Sequence, residues 1–352
     1  MKKIAVVGAG GTGHALAAIL ASRGCEVFLT DSEAYLPILE QTAASPTIRF
    51  SGTINGCGTV SMATADTEAA LSKADVIVCC TISNRDEETA RRIAPYVNES
   101  RPVLIGAGNG GSLIYHRVFE TLGKKNILVA ETGGNFFPCR MTAPGQIVIG
   151  LPLSPRQVAA FPPENTENAV NAFLDVWELT PAKCIPAAMF NGPNLISHLG
   201  AVLLNVGAIE KSGGHFNLFT DGITPSIINL TDDLWAEKKA VLDVFGVEST
   251  PPVRKMFEGI LDSDNQSYQY FRMMDGPDTL ENRYITEDVP ILTSFFVSLA
   301  KGLGVRVPLF ESMVRLISAA ARRDFYAEGR TLENLGLGDL TRDEIITYFC
   351  GE

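Results

Sequence analysis

The first part of the chain holds the feature that most constrains its fold: an apolar strand, a glycine-rich turn, a helix and a second strand in immediate succession. Residues 4–7 are an apolar run that leads directly into Gly8-x-Gly10-x-x-Gly13. Helix-forming residues follow as far as Gly24, a suitable helix stop, and residues 26–30 form the second apolar run. This order predicts a βαβ unit with parallel strands.

Each glycine of the turn has a physical role in binding the diphosphate of a dinucleotide. The first permits the tight turn, the second lets the backbone approach the phosphates, and the third lets the helix pack closely on the strand. The phosphates would face the helix N-terminus, where unpaired N–H groups and the helix dipole favour an anion. The predicted cofactor-binding residues of the turn are Gly8, Gly10, Gly11, Thr12 and Gly13.

Asp31 indicates which dinucleotide is bound. It follows the second strand, where a carboxylate can accept hydrogen bonds from the adenosine ribose and would repel a 2′-phosphate. The next residues are Ser32 and Glu33, so no cation directly follows Asp31 in the sequence. We therefore predict NAD as the cofactor, with NADP less favoured. The alternative is that Asp31 is a solvated strand-end carboxylate or a helix cap.

The first half of the chain continues to alternate apolar strands with helical segments, which predicts a doubly wound parallel sheet. Thr81 and Asn109 lie in loops that follow two of these strands, and ligands bind at such loops. We expect both residues to flank the nicotinamide, although such loops can also be simple connections. Asn55-Gly56 predicts a hairpin excursion on the same sheet. The predicted strands are residues 75–80, 102–106 and 126–130, and the predicted helices are residues 85–93 and 112–122.

The character of the sequence changes after about Cys184, where strand-like runs give way to helical patterns. We predict an α/β fold in which an N-terminal Rossmann domain, residues 1–185, precedes a C-terminal all-α domain, residues 186–352. The predicted helices of the second domain are residues 189–211, 225–245, 287–301 and 309–326.

The overall charge excludes several classes of partner. The 352 residues carry a net charge of −11, which argues against nucleic acid or an anionic membrane surface. No stretch reaches the roughly eighteen consecutive apolar residues that a membrane helix needs. The seven cysteines are scattered, without a Cys-x-x-Cys pair, and predict no metal site. We expect a cytoplasmic protein that acts on small molecules, with a homodimer possible if the helical domain exposes an apolar face.

The candidate proton-transfer residues lie in the second half. His198 is favoured among four histidines, because imidazole can accept and donate a proton near neutral pH and Asn194 lies one helical turn away. Asp288 could orient that imidazole, and Arg283 could bind a carboxylate in a bidentate pair. The alternatives are a histidine satisfied by its surroundings, a helix-capping aspartate and a surface ion pair.

Motifs spread over nearly the whole chain resemble the NAD/NADP octopine/nopaline (opine) dehydrogenase family. The resemblance implies a Rossmann domain joined to a helical domain, with His198 and Asp288 as the catalytic pair and Asn194 and Arg283 as substrate-binding residues. The motifs are Gly8-x-Gly10-x-x-Gly13, Thr64-Ala65-Asp66, Ala74-Asp75-Val76-Ile77, Cys139-Arg140, Asn194-x-x-x-His198, Arg283-Tyr284-x-x-Glu287-Asp288-Val289-Pro290 and Gly329-Arg330-Thr331-Leu332.

The activity that this resemblance implies is an NAD(P)H-dependent condensation. An amino acid and a 2-oxo acid would form an imine, which is reduced to a secondary amine, and the reverse reaction is also expected. Two alternatives stay open: a reductase of a 2-oxo or hydroxy acid on the same two-domain plan, and a dinucleotide-binding sensor without catalysis.

Overall fold

The computed structural model describes residues 1–274 and 276–351, which form two compact units. The first unit is Met1–Met189 and the second is Phe190–Glu352. The predicted boundary, between residues 185 and 186, lies four residues before this division. Each unit has its own core, as expected for a chain of this length.

Twelve strands form two sheets in the first unit. They are β1 (Lys3–Val7), β2 (Glu26–Thr30), β3 (Thr47–Gly52), β4 (Gly56–Thr59), β5 (Met62–Thr64), β6 (Val76–Cys79), β7 (Val103–Ile105), β8 (Val129–Thr132), β9 (Cys139–Ala143), β10 (Gln146–Ile149), β11 (Arg156–Phe161) and β12 (Leu179–Pro181).

The larger sheet has the strand order β12-β11-β8-β7-β6-β1-β2-β5. The strands from β8 to β5 run parallel, and their apolar side chains are buried, as in β1 and β6. The chain moves outward from β1 in one direction and returns to β6 on its other side, so the sheet has a switch point between β1 and β6, where ligands bind at the carboxyl ends of strands. The predicted doubly wound parallel sheet is confirmed.

One edge of this sheet was not predicted. Strand β11 pairs with β8 in the antiparallel direction, and β12 extends the edge parallel to β11. Strand β11 begins with a polar pair, Arg156 and Gln157, and β12 is only three residues long, so neither gives the continuous apolar run that marks the central strands.

A four-stranded sheet, in the order β4-β3-β10-β9, packs on the first helix. The hairpin predicted at Asn55-Gly56 is confirmed, because β3 and β4 pair antiparallel on either side of it. Its assignment to the larger sheet is wrong: β3 pairs with β10 instead. The alternating burial of β3 explains this separate layer, since only one face of the strand is covered.

Helices connect and cover the strands of the first unit, and the helices predicted at residues 85–93 and 112–122 are present. They are α1 (Gly11–Ser22), α2 (Leu36–Ala44), α3 (Thr67–Leu71), α4 (Asp86–Ile93), α5 (Gly111–Thr121), α6 (Thr166–Ala172) and α7 (Ile185–Phe190), with single 3₁₀ turns at Glu33–Tyr35, Ser83–Arg85, Ala94–Tyr96 and Pro163–Asn165.

The second unit is helical, as predicted, and in its described residues the only β pairing is an isolated bridge between Asn217 and Gly276. None of the helices that the structure describes is long and apolar enough to cross a membrane. The helices are α8 (Asn194–Ser197), α9 (Leu199–Leu204), α10 (Val206–Lys211), α11 (Pro225–Val244), α12 (Arg254–Leu261), α13 (Gln269–Arg272), α14 (Arg283–Thr286), α15 (Ser294–Gly302), α16 (Pro308–Ala321) and α17 (Arg342–Cys350), with π turns at Leu218–Gly222 and Asp288–Thr293 and a 3₁₀ turn at Gln266–Tyr268.

The prediction of one continuous helix over residues 189–211 is wrong. The segment is divided into α7, α8, α9 and α10, with Gly192 and Pro193 between the first two. A proline inside a helix removes a backbone donor and clashes with the preceding turn. The helix predicted at residues 287–301 likewise begins with a π turn, Asp288–Thr293, before α15. These irregular junctions contain the candidate catalytic residues.

Candidate active site

The glycine turn between β1 and α1 contains two kinds of glycine: two that the packing of the protein requires, and one whose surroundings are open to a ligand. Gly8 has a φ of +123°, and a Cβ on it would lie 2.8 Å from the carbonyl of Cys80. A Cβ on Gly13 would lie 1.8 Å from the carbonyl oxygen of Gly8. A Cβ on Gly10, by contrast, would meet nothing within 4 Å. The protein therefore requires the first and third glycines, and the bare backbone at Gly10 leaves space that a diphosphate can fill.

The start of α1 fits an anionic ligand. Gly10 precedes the helix, and no side chain caps it, so the N–H groups of the first turn are available to phosphate oxygens. The hydroxyl of Thr12 accepts a hydrogen bond from the side chain of Asn135 at 2.9 Å. A Cβ on Gly11 would be 3.7 Å from the sulfur of Cys139. The loop before β9 thus lies against the predicted diphosphate residues.

Asp31 connects β2 to the glycine turn. Its carboxylate is 2 % exposed and accepts hydrogen bonds from the backbone N–H groups of Ala9, at 2.8 Å, and Ser32, at 2.7 Å. The alternative that it is a solvated carboxylate is therefore wrong. Two cations that the neighbouring sequence does not contain also approach it: Arg85 Nη1 lies 3.7 Å and Arg92 Nη2 3.5 Å from Oδ1.

Thr81 and Asn109, both predicted to border the cofactor, lie in loops at the carboxyl edge of the larger sheet. Thr81 follows β6 directly, and its backbone nitrogen would be 3.1 Å from a Cβ on Gly8. Asn109 is buried, has a φ of 49°, and donates a hydrogen bond to the hydroxyl of Ser83 at 3.1 Å. The structure therefore brings Thr81 beside the glycine turn and links the loop of Asn109 to the loop of Ser83.

Glu131 holds the second glycine-rich loop and was missed in the sequence. It is fully buried at the end of β8 and accepts hydrogen bonds from the backbone of Gly110, at 2.8 Å, and Ser112, at 2.9 Å. A Cβ on Gly108 would lie 2.3 Å from the Cβ of Glu131. A carboxylate from the neighbouring strand thus fixes the start of α5. The sequence signal that could have indicated Glu131 is an acidic residue at the end of an apolar strand.

In the second unit, His198 and Asp288 form the predicted pair. His198 lies at the junction of α8 and α9, and Asp288 begins the π turn before α15. Both are buried, and His198 Nδ1 lies 2.6 Å from Asp288 Oδ2. A carboxylate can only accept, so Nδ1 carries the proton and Nε2 is left as the base. Among the described residues, the other carboxylate oxygen has no hydrogen-bond partner, which leaves the imidazole as the group that offsets this buried charge.

Tyr284 covers one face of the His198 imidazole. The ring centroids of His198 and Tyr284 are 4.0 Å apart, and the planes are tilted by 31°. Tyr284 precedes Asp288 by four residues, so one short segment supplies both the carboxylate at the edge of the ring and the aromatic group on its face. An aromatic face stabilises a cation placed over it. The four-residue spacing was the sequence signal for this role.

The two predicted substrate-binding residues lie on the same two segments. Asn194 begins α8, and its carbonyl accepts the backbone N–H of His198 at 3.2 Å, one turn away. Arg283 begins α14, with its side chain 46 % exposed, and its Nε lies 3.3 Å from Oε2 of buried Glu287. The alternative given for Arg283, an ion pair, is therefore formed, and its partner is Glu287, four residues further along the chain.

Comparison with known proteins shows what each part of the chain is similar to. Residues 182–321 match the family model of the NAD/NADP octopine/nopaline dehydrogenase α-helical domain, and residues 4–150 match that of the ketopantoate reductase PanE/ApbA. An opine dehydrogenase of Arthrobacter sp. (strain 1C) is 29% identical over 97% of this chain and 96% of its own length. The resemblance read from the motifs is thus confirmed: the helical half is similar to the octopine/nopaline dehydrogenase family, and nearly the whole chain is similar to an opine dehydrogenase.

Solved structures agree with this similarity at the level of the fold. Octopine dehydrogenase with NADH and L-arginine has a TM-score of 0.74 at 18% identity, covering 99% of this chain and 98% of that one. The same enzyme with NADH and pyruvate gives 0.70 at 19% identity, again over 99% and 98%. The predicted fold is confirmed, and both of these neighbouring structures contain NADH, the reduced form of the predicted cofactor.

Proposed function

We propose that this protein joins the amino group of an amino acid to the carbonyl carbon of a 2-oxo acid and reduces the resulting imine to a secondary amine. The observation that carries the proposal is the buried pair of His198 and Asp288, 2.6 Å apart, in a chain aligned along its length with an opine dehydrogenase. The related octopine dehydrogenase structures contain arginine in one case and pyruvate in another, which are one substrate of each class.

His198 moves the protons of the condensation. Its unprotonated Nε2 removes a proton from the substrate ammonium group, so that the amine lone pair can form a C–N bond to the carbonyl carbon. The attacking nitrogen passes a proton to the former carbonyl oxygen, which becomes a hydroxyl group. The imidazolium then returns its proton to that hydroxyl group, which leaves as water while the nitrogen lone pair forms the C=N bond. Asp288 holds the ring in the required tautomer and stabilises the imidazolium, and Tyr284 supports the same charge from the ring face.

The remaining residues bind and orient. The guanidinium of Arg283 offers a planar set of donors that fits a substrate carboxylate in a bidentate pair. The amide of Asn194, one turn before His198, can orient a carbonyl or carboxylate oxygen next to the base. The dinucleotide would be held by eight residues of the first unit: Gly8, Gly10, Gly11, Thr12, Gly13, Asp31, Thr81 and Asn109. When bound there, reduced NAD supplies the hydride that reduces the imine.

A reductase of a 2-oxo or hydroxy acid is the second candidate, because residues 4–150 match the ketopantoate reductase model. Such an enzyme would need the dinucleotide site and a proton donor, but no site for an amine. A binding protein without catalysis is disfavoured by the His198 and Asp288 pair. The cytoplasmic location and the homodimer stay predictions.

The test measures NADH oxidation by the full chain with pyruvate, with and without a panel of amino acids, in wild type, His198→Ala and His215→Ala. We expect oxidation that requires both substrates and falls by about 10²- to 10⁴-fold in His198→Ala, the contribution of a general acid–base group. His215→Ala, which changes an exposed histidine of the same unit, should keep the wild-type rate.

Each other outcome contradicts the proposal in a different way. Turnover with pyruvate alone would identify a hydroxy-acid dehydrogenase. NADH binding, followed by fluorescence, without turnover across the panel would favour the sensor. A full rate in His198→Ala would remove His198 from the mechanism.

A further inference from the structure

A cluster beside Asp31 bears on how the chain distinguishes NAD from NADP. Arg85, in the 3₁₀ turn after β6, reaches across to the end of β2. Its Nη2 donates a hydrogen bond to the hydroxyl of Ser32 at 3.0 Å, and its Nη1 lies 3.7 Å from Asp31. The guanidinium also lies over the ring of Tyr35, 5.5 Å from the centroid. A planar cation therefore lies beside the carboxylate of Asp31 and the hydroxyl of Ser32, where an adenosine ribose would bind.

Glu88, on the first turn of α4, binds the same guanidinium. Its two carboxylate oxygens accept hydrogen bonds from Arg85 Nε at 3.1 Å and Nη2 at 2.8 Å. The hydrogen bond from Arg85 lowers the pKa of Glu88, so this carboxylate is ionised at neutral pH. The pair has the forked geometry in which a guanidinium binds a carboxylate or a phosphate equally well.

The charges of the cluster are balanced. Arg85 and Arg92 contribute two positive charges, and Asp31 and Glu88 contribute two negative ones. A 2′-hydroxyl adds no charge to this set, whereas a 2′-phosphate would add about two negative charges beside two carboxylates. Removal of the Glu88 charge would leave a net positive cluster with a free fork of donors on Arg85.

We propose that Glu88 determines the preference for NAD by occupying Arg85, which is otherwise a 2′-phosphate-binding residue. No cation directly follows Asp31 in the sequence, but the fold brings Arg85 to it. Glu88, three residues after Arg85, forms an ion pair with that guanidinium. This inference rests on the proposed use of a nicotinamide dinucleotide and adds the residues that select between its two forms. Ser32 supplies a hydroxyl that could share the phosphate with Arg85.

The experiment compares the Kd values of the full chain for NADH and NADPH, from nicotinamide fluorescence, in Glu88→Gln and in a matched control. Glu87→Gln is that control, because Glu87 is one residue away on the same helix and pairs with Arg91 at 2.7 Å, not with the cluster. We expect Glu88→Gln to tighten NADPH binding by about tenfold, the effect of one charge-assisted hydrogen bond, and to change NADH binding by less than about twofold. Glu87→Gln should leave both values unchanged.

A second substitution tests whether the tighter NADPH binding of Glu88→Gln depends on Arg85. In the double variant Glu88→Gln with Arg85→Ala, the improvement in NADPH binding should disappear. An unchanged ratio of the two Kd values in Glu88→Gln, an equal gain in Glu87→Gln, or a gain that survives Arg85→Ala would each overturn the inference.

Binding is measured without amino acid or oxo acid, so the two proposals fail in different ways. A chain that shows the expected shift in Kd but no condensation would contradict only the proposed reaction. A chain that condenses its substrates with an unchanged Kd ratio would contradict only the role of Glu88. Failure to bind either dinucleotide would overturn both.

Discussion

The glycine turn of the first unit and the histidine pair of the second are built by different means. The turn is a contiguous stretch whose backbone makes the site, and a Cβ on Gly8 or Gly13 would collide with the backbone around it. The pair is made of side chains ninety residues apart, His198 and Asp288, each at an irregular helix junction. A backbone site can therefore be damaged by adding one carbon atom, whereas a side-chain site fails when one functional group is removed.

The largest effect should come from Asp288→Asn in the side-chain site. The amide removes the charge that stabilises the imidazolium, and its NH₂ group can donate to Nδ1 and favour the wrong tautomer. We expect kcat to fall by about 10²- to 10⁴-fold, with the Kd for NADH unchanged, because the glycine turn is a separate site. Steady-state turnover and NADH fluorescence measure the two quantities.

Asp288→Glu serves as the conservative control and should retain more activity than the amide, since it keeps the charge. Equal loss in both variants would mean that the exact position of the carboxylate, rather than its charge, decides the rate. An unchanged kcat in Asp288→Asn would contradict the assigned role.

Substitutions in the glycine turn should distinguish two kinds of glycine. Gly10→Ala introduces a Cβ that meets no protein atom within 4 Å, at a φ of −81° that alanine readily adopts. We expect an unchanged Tm and a Kd for NADH raised by about tenfold or more, because only the ligand approaches this position.

Gly13→Ala is the comparison for Gly10→Ala, because its Cβ would lie 1.8 Å from the Gly8 carbonyl oxygen. We expect both a lower Tm and weaker NADH binding. Thermal unfolding together with NADH titration distinguishes the two variants. If both variants lowered Tm alike, the division between protein-required and ligand-required glycines would be wrong.

The smallest effect should come from the aromatic face over His198. Replacement of Tyr284 by leucine removes the ring that stabilises the imidazolium, which lies 4.0 Å away. A cation–π contact contributes about 0.5–2 kcal/mol, so kcat should fall by roughly two- to thirtyfold. Tyr284→Phe keeps the ring and should retain most of the rate. If phenylalanine were as slow as leucine, the hydroxyl, not the ring face, would be the functional part.

Asp31 and His14 show what the sequence and the tertiary structure each decide within the first unit. Asp31 was placed correctly at the end of β2, because the spacing from the glycine turn is local. Its two arginine neighbours were not foreseen, because they come from the segment after β6. His14, in α1, is fully buried, with Nε2 2.9 Å from the Thr42 hydroxyl, and burial lowers its pKa, which fits a neutral packing residue.

The sequence alone determined the features that depend on neighbours along the chain. Glycine spacing, runs of apolar residues and helical periodicity predicted the Rossmann-type sheet, the helical second half and the position of the glycine turn, since these follow from backbone conformation and burial over a few residues. Where that local signal failed, as in the predicted helix over residues 189–211, a glycine and a proline interrupted a periodic apolar pattern.

Only the tertiary structure decided which distant side chains meet. It placed His198 against Asp288 and Tyr284, brought Arg85 to Asp31, and placed Glu131 under the second glycine loop. Such contacts join residues twenty to ninety positions apart, and their distances depend on how whole strands and helices pack. A motif can indicate which residues form a site. The packing of the fold determines the distances between them, and therefore their orientation, their hydrogen-bond partners and their electrostatic surroundings.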